Sequence, residues 1–323
     1  MIKILYLVIP CYNEQEVLHE TAKRLLEKIH IMINKKIVSD KSRIIFINDG
    51  SKDDTWNIIK ELHKKNEYFG GINLSRNRGH QNALLAGLMT VKDEADMVIS
   101  LDADLQDDID VIDQFVEKYY EGNDIVYGVR CSRATDTFFK RTTALTFYKL
   151  MRGLGVDMVY NHADYRLMSK RSLEGLAKFK EVNLFLRGMV PLVGYKYTVV
   201  EYERHERFAG ESKYPLKKMI AFALDGITSL SIKPIRLITG LGFTIFFISL
   251  LVLVYSIIVK LLGDTVSGWT SLSASIWMLG GIQLLCMGVV GEYIGKIYNE
   301  TKQRPRFIIS EKLLIKKATN EGE

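Results

Sequence analysis

The sequence predicts an α/β domain on a mostly parallel sheet, followed by an interfacial helix and a pair of membrane-crossing helices. Two observations carry this reading. Residues 1–130 alternate short apolar runs with charged, helix-periodic stretches, the pattern of strands joined by crossover helices. Beyond Pro234, two long apolar blocks follow one another. At 323 residues the chain has room for one sizeable domain and an appendage. The net charge of +6 is modest, and Cys11, Cys131 and Cys286 lie far apart without metal spacing. Such cysteines suit a reducing compartment and exclude a disulfide framework.

The elements follow in order. Residues 4–9 form a strand; their apolar run ends in Pro-Cys-Tyr-Asn-Glu, so it reads as a buried strand and not as an export signal. Residues 14–33 are helical, with apolar side chains at three- and four-residue spacing. Strands at 44–48, 71–74, 97–101 and 125–129 alternate with helices at 53–66, 79–91 and 108–120. Ligands of such sheets bind beyond the carboxyl ends of the strands. Polar clusters fall there: residues 10–14, 48–51, 75–79 and 102–104. No Gly-x-Gly-x-x-Gly follows the first strand, and no P-loop occurs anywhere. A dinucleotide enzyme or a P-loop nucleotidase is therefore poorly supported.

Residues 237–259 and 268–290 contain no charged residue, and each is about 35 Å of helix, enough to cross a bilayer. Lys217, Lys218, Lys233 and Arg236 precede the pair, and Lys296, Lys302, Arg304 and Arg306 follow it, whereas the turn offers Lys260 balanced by Asp264. The positive-inside rule places both termini in the cytoplasm of an integral plasma-membrane protein. Gly280, Gly281, Gly288 and the Gly291/Gly295 pair permit close helix packing, within the hairpin or between subunits of a homo-oligomer. The expected organisation is a cytoplasmic domain over 1–213, an amphipathic helix on the inner leaflet over 214–233, two spans within 234–298 and a solvated tail over 299–323. One more helix of the soluble domain is the alternative for 214–233.

The run "LDADLQDD" (101–108) drives a strand into four acids, which repel one another unless something positive sits among them. Asp102 and Asp104 point to one side of an extended segment with Ala103 turned away. They suit Mg²⁺ or Mn²⁺ sharing phosphate oxygens with a substrate, or else a solvated turn. Asp107 and Asp108 read as caps of the following helix, and His80 as a surface residue at a helix start.

The motifs "VIPCYNEQE", "INDGSKDDT", "LSRNRGHQNALLAG", "LDADLQD", "VYGVR", "ADYRLMSK" and "RHERFAGESKYPLKK", followed by two spans, resemble the family-2 glycosyltransferases that load a sugar onto polyprenyl phosphate. Within that family they look like the bactoprenol glucosyltransferase branch, related to dolichol-phosphate mannose synthases. The resemblance implies a GT-A fold, a nucleotide-diphospho-sugar donor and Mg²⁺ or Mn²⁺. It implies a nucleotide pocket lined by Pro10, Tyr12, Asn13 and Glu14, with Asp49 at the base and Arg76 and Gly79 in the adjoining loop. A turn at Asp49 and a surface ion pair at Arg76 are the plainer alternatives. Asp102, Ala103, Asp104 and Gln106 match the metal- and donor-binding Asp-x-Asp-x-Gln.

A phosphate acceptor has a second pKa of about 6, so it is anionic at neutral pH and needs cations to hold it more than a base to activate it. Arg130, Arg204, Arg207 and Lys213 are the candidates for the lipid phosphate, Arg207 with a catalytic role. The plainer reading of that last loop is anchoring by charge alone. Asp164 matches the acid near the acceptor, and orienting the site suits it better than acting as a base; Asp104 is the other catalytic carboxylate. The expected partners are the donor, polyprenyl (undecaprenyl) phosphate and the bilayer, and no nucleic acid. The expected reaction is inverting transfer of a hexosyl group, with UDP-glucose or UDP-N-acetylglucosamine as donor. A processive polysaccharide synthase lacks support because no Gln-x-x-Arg-Trp element is present. A catalytically silent membrane scaffold or sugar-nucleotide sensor is the rival of another class.

Overall fold

In the computed structural model, residues 2–131, 153, 162–203, 226–229, 231–261 and 268–314 are described. The first part follows the expected alternation: β1 (Leu5–Cys11), α1 (Leu18–Asn34), β2 (Arg43–Asn48), α2 (Thr55–Lys65), β3 (Phe69–Leu74), α3 (His80–Val91) and β4 (Met97–Ser100). A 3-10 turn at Ile109–Val111 then leads into α4 (Ile112–Tyr120), and β5 (Ile125–Arg130) follows. Beyond it come β6 (His162–Ser169), α5 (Lys170–Leu176), α6 (Leu186–Leu192), β7 (Tyr197–Tyr202), α7 (Lys233–Leu261), α8 (Trp269–Thr301) and β8 (Ile309–Leu313).

Among the described residues the strands form one eight-stranded sheet in the order β7-β5-β6-β4-β1-β2-β3-β8. β4, β1, β2 and β3 are mutually parallel. Every residue of β1 is buried, as a central strand covered on both faces requires. Leu5, Leu7 and Ile9 pack with Leu18, Leu25, Ile29, Ile58 and Phe115 on one face. Tyr6 and Val8 pack with Ile47, Leu84, Leu88 and Met189 on the other. The chain steps from β1 to β2 and β3 and then returns across β1 to β4, so α3 crosses to the opposite face from α1 and α2. That reversal opens a crevice at the carboxyl ends of β1 and β4, where open α/β sheets bind ligands.

Three strands were not anticipated. β7 pairs parallel with β5 at the end of the sheet, Ile125 opposite Tyr197. β6 inserts antiparallel between β4 and β5, with Ser100 opposite Arg166 and Val129 opposite His162. Because it runs backwards, its first residues lie at the rim where β4 and β5 end. β8 comes from the stretch expected to be solvated tail, and it pairs antiparallel with β3, Gly71 opposite Leu313 and Asn73 opposite Glu311. Trp56 Nε1 donates to Glu311 at 3.1 Å and reinforces the join. Main-chain pairing of an otherwise open edge decides the matter, and hydropathy does not.

α7 and α8 are the two long helices expected after Pro234. Among the described residues, the segment long and apolar enough to cross a membrane is Met278–Thr301, with a mean hydropathy of 1.4; it lies further along the chain than 268–290. On α7, Leu237, Phe243, Phe247, Leu251 and Tyr255 are all exposed. Most of the amphipathic segment expected over 214–233 lies outside the described residues.

Truncation after Arg306 strips β3 of its outer partner, and each lost main-chain bond removes about 0.5–1.5 kcal/mol net. The expected outcome is a melting temperature lowered by several degrees in detergent, measured by intrinsic fluorescence. An unchanged value would show that the added strand contributes nothing.

Candidate active site

The rim is assembled loop against loop. After β1, Asn13 adopts a left-handed backbone with φ of 54°. Its N–H donates to Ser51 Oγ at 3.0 Å, and its side-chain oxygen accepts from the Lys52 N–H at 2.9 Å. The Glu14 N–H donates to Thr55 Oγ1 at 2.9 Å. Pro10 is buried within β1, whereas Tyr12 is exposed above the crevice. The first two expected nucleotide loops are therefore one bonded unit.

The third loop is fastened by Asp49. Its two carboxylate oxygens accept the N–H groups of Arg78 at 2.7 Å and Gly79 at 2.9 Å, and the residue is 2% exposed. Burial pushes its pKa up, and the two amides pull it back. Asp49 thus anchors the 76–79 loop, a duty the sequence reading did not foresee beside the expected contact with a base. Gly50 makes the approach feasible: its φ is +62°, and a Cβ there would lie 2.5 Å from the Asn77 nitrogen. Arg76 is exposed and forms no salt bridge with a described residue.

The acidic run resolves into separate jobs. Ala103 is buried, and its carbonyl accepts from Thr21 Oγ1 at 2.7 Å, which ties the turn to α1. Asp102 remains partly exposed, with 38% of its side chain accessible. Asp104 is buried, and its Oδ1 accepts from the Gln106 N–H at 3.2 Å. Asp108 caps the 3-10 turn by accepting from the Asp110 N–H at 2.8 Å, as expected. Asp107 does not cap a helix, contrary to expectation. It is buried, accepts from the Tyr202 hydroxyl at 2.6 Å and lies 3.7 Å from Arg130. Burial, then the neighbouring Asp102, push its pKa up to about 6, against Arg130 and Tyr202. β7 runs parallel to β5 with Arg130 opposite Tyr202, so the sheet register itself supplies this partner.

At the other side of the crevice stands Asp164, near the start of β6. Arg166 donates to it at 3.0 Å, and Arg187 donates through Nη2 at 3.0 Å and Nε at 3.4 Å. Burial alone would raise its pKa, but Arg187, Arg166 and then His80 drive the carboxyl well below the usual range. A carboxylate held so firmly ionised is a poor proton acceptor. Arg166 is fully buried, and its Nε and Nη1 find no partner among the described residues. Arg187, at the start of α6, keeps 31% of its side chain exposed. Gln81 positions that helix by accepting the Leu186 N–H at 2.8 Å.

His80 begins α3, as expected, and 33% of its side chain is accessible, yet it also faces the crevice. Its Nε2 lies 3.7 Å from Asp102 and 3.7 Å from Asp164, between the acidic run and the arginine pair. Neither His80 nor Arg187 was picked out from the sequence. A helix-start histidine directly behind the Arg76–Gly79 cluster was the available signal for the first; nothing local marked the second. Arg204, Arg207 and Lys213 lie outside the described residues.

The donor set fits a hard divalent cation. Asp102 and Asp104 present oxygens on either side of a buried alanine, and Mg²⁺ or Mn²⁺ takes one or two carboxylates and completes its shell with water and phosphate. Among the described residues, no three His, Cys, Asp or Glu side chains gather closely enough to enclose an ion by themselves.

The sequence profile of Glycosyl transferase family 2 matches residues 6–176, and that of the GtrB C-terminal hairpin matches residues 233–297. The chain is 56% identical over 306 residues to the uncharacterized glycosyltransferase YkoT of Bacillus subtilis (strain 168), spanning 95% of this chain and 91% of that one. It is 41% identical over 305 residues to a bactoprenol glucosyl transferase of Shigella phage SfX, spanning 94% and 97%. It is 40% identical over 305 residues to the prophage bactoprenol glucosyl transferase homolog of Escherichia coli (strain K12), again spanning 94% and 97%.

Gly50→Ala forces a strained φ and a backbone collision. It is expected to weaken nucleotide binding at least tenfold by calorimetry while the far-ultraviolet circular dichroism stays unchanged. The low pKa of Asp164 means that its ionised form stabilises the fold above the unfolded carboxylate value of about 4, and that this contribution is lost as pH falls further. Arg187→Gln brings the native pKa back toward the unfolded value, so less of this stability exists to be lost. Its melting temperature should therefore start lower at neutral pH and fall less than the wild type's on acidification below about pH 5; parallel curves would refute the coupling.

Proposed function

The chain belongs to glycosyl transferase family 2 and is a glycosyltransferase, and from that premise we propose that it moves a hexosyl group from a nucleotide-diphospho-sugar to polyprenyl phosphate. UDP-glucose or UDP-N-acetylglucosamine is the donor, undecaprenyl phosphate the acceptor, and a lipid-linked sugar for the cell envelope the product. The relatives named bactoprenol glucosyl transferase, matched over nearly the whole chain, support the acceptor class. The GtrB-type hairpin and the apolar stretch Met278–Thr301 support an integral membrane protein. In this reading α7 and α8 both span, and the catalytic domain and both termini face the cytoplasm.

The carrying observation is the placement, on one rim, of the partly exposed Asp102 and the neighbouring buried Asp104 opposite the Asp164 cluster with Arg187 and Arg166. Mg²⁺ or Mn²⁺ held by Asp102 and Asp104, with Gln106 beside them, supplies Lewis-acid charge to the donor diphosphate. Tyr12, Asn13, Glu14, Arg76 and Gly79 bound the nucleotide side. Because the acceptor phosphate is already anionic, the chain has to hold and aim it, not deprotonate it. Arg130, Arg187 and the loop with Arg204, Arg207 and Lys213 provide the positive charge. Asp164 keeps the Arg187 guanidinium at the rim. One direct displacement, without a covalent enzyme intermediate, inverts the anomeric centre.

Purified protein is assayed with undecaprenyl phosphate, Mg²⁺ or Mn²⁺ and a panel of UDP- and GDP-sugars. A radiolabelled lipid-linked sugar is expected with one donor, abolished by EDTA and restored by the metal; no product with any donor would sink the proposal. Asp104→Ala should lower kcat/KM by about 10²–10³-fold, the size of losing one charge-stabilising group. Asp164→Asn should lower it by the same factor at every pH from 5.5 to 8.5. A deficit that changes with pH would instead identify Asp164 as a base.

A further inference from the structure

Where α8 leaves its apolar stretch, its last turn folds back onto the α/β domain. The Glu300 carboxylate accepts the N–H groups of Val182 at 2.9 Å and Asn183 at 2.7 Å, and the Asn183 side-chain amide at 2.7 Å. Beside this clamp, residues 178–182 together with Glu300 and residues 303–306 line an open cleft of about 750 Å³, within the range of ligand clefts. Four cations line it, Lys178, Lys180, Arg304 and Arg306, against two acids, Glu181 and Glu300. Glu181 and Glu300 both act on Arg306 electrostatically, and an excess of positive charge remains over the two acids. None of the four forms a salt bridge with a described residue. Arg306 is half-buried and oriented by donating to the Phe179 carbonyl at 3.2 Å.

Like charges gathered round a concavity repel one another, and an anion relieves them. The position specifies the anion. The cavity is built from the residues that immediately follow Met278–Thr301, so, on the reading of α8 as a span, it sits at the depth of lipid headgroups. Anchoring by positive charge alone needs only lysines near the surface. A half-buried guanidinium inside a cleft adds forked contact with phosphate oxygens. We propose that this cavity binds the phosphate-bearing headgroup of an anionic phospholipid of the cytoplasmic leaflet and thereby fastens the catalytic domain to the bilayer. The site is separate from the proposed acceptor phosphate site and rests on the membrane reading given above.

The test uses the full chain in mild detergent and native mass spectrometry with phosphatidylglycerol or phosphatidylcholine. The variant is Lys180→Gln with Arg304→Gln; both residues are exposed, and an unchanged melting temperature confirms folding. Wild-type protein should retain phosphatidylglycerol and not phosphatidylcholine. The double variant should retain at least about fivefold less, the factor for one basic contact at a membrane surface, while resisting alkaline extraction from membranes like the wild type. Equal retention by the variant, or equal retention of the two lipids, overturns the proposal. So does displacement by millimolar inorganic phosphate, which would assign the cavity to a soluble anion. Alkaline extraction of the wild type would overturn the membrane reading itself, an outcome distinguishable from failure of the cavity alone.

Discussion

Asp164 is held by two arginines inside a largely apolar sheet, and the organisation of the site follows from that ion cluster. Isolating a carboxylate from water is costly, and so is burying Arg166 with no accessible surface. Each becomes tolerable because the other is 3.0 Å away and Arg187 closes the group from α6. The cluster can form only if a strand runs backwards between β4 and β5, bringing the start of β6 to the ligand-binding rim. It then fixes α6, and through His80 it meets Asp102. The two sides of the crevice are thereby set relative to each other before any ligand arrives.

The acidic run shows the same division of labour on a smaller scale. Four acids within seven residues would be intolerable as one patch. Asp108 accepts the Asp110 N–H, Asp107 faces Tyr202 and Arg130, Asp104 accepts the Gln106 N–H, and Asp102 keeps 38% of its side chain accessible at the crevice. Protein dipoles and cations thus offset most of the run locally. Asp49 applies the same logic to backbone amides. Its buried carboxylate substitutes for a sheet bond between two loops that cannot pair directly.

The parallel half of the fold was legible because it rests on local information. Apolar runs of strand length, helix-periodic segments and turn residues locate β1 to β5 to within a few positions, and the chemistry at their ends locates the crevice. The features that escaped depend on distant partners. "HADYRLMS" carries an arginine at what becomes a fully buried sheet position, which breaks the apolar pattern expected of a central strand. "ISEKL" is short and half charged, and β3 makes it a strand from more than two hundred residues away. Asp107 looked like a cap because acids before a helix usually are; its true partners lie on β5 and β7. Arg187 stands at the start of α6, where nothing in the local pattern shows what the helix faces. The resemblance to lipid-phosphate glycosyltransferases came from motif order along the chain, which survives such misreadings.

The pairing of β8 with β3 has a consequence for biogenesis. Residues 309–313 are synthesised after α7 and α8, so the nascent sheet keeps an uncovered edge at β3 until both long helices have been made. An uncovered edge recruits strands from other chains. A segment made late in synthesis therefore closes the sheet, and a chain interrupted before β8 is left with an adhesive flank.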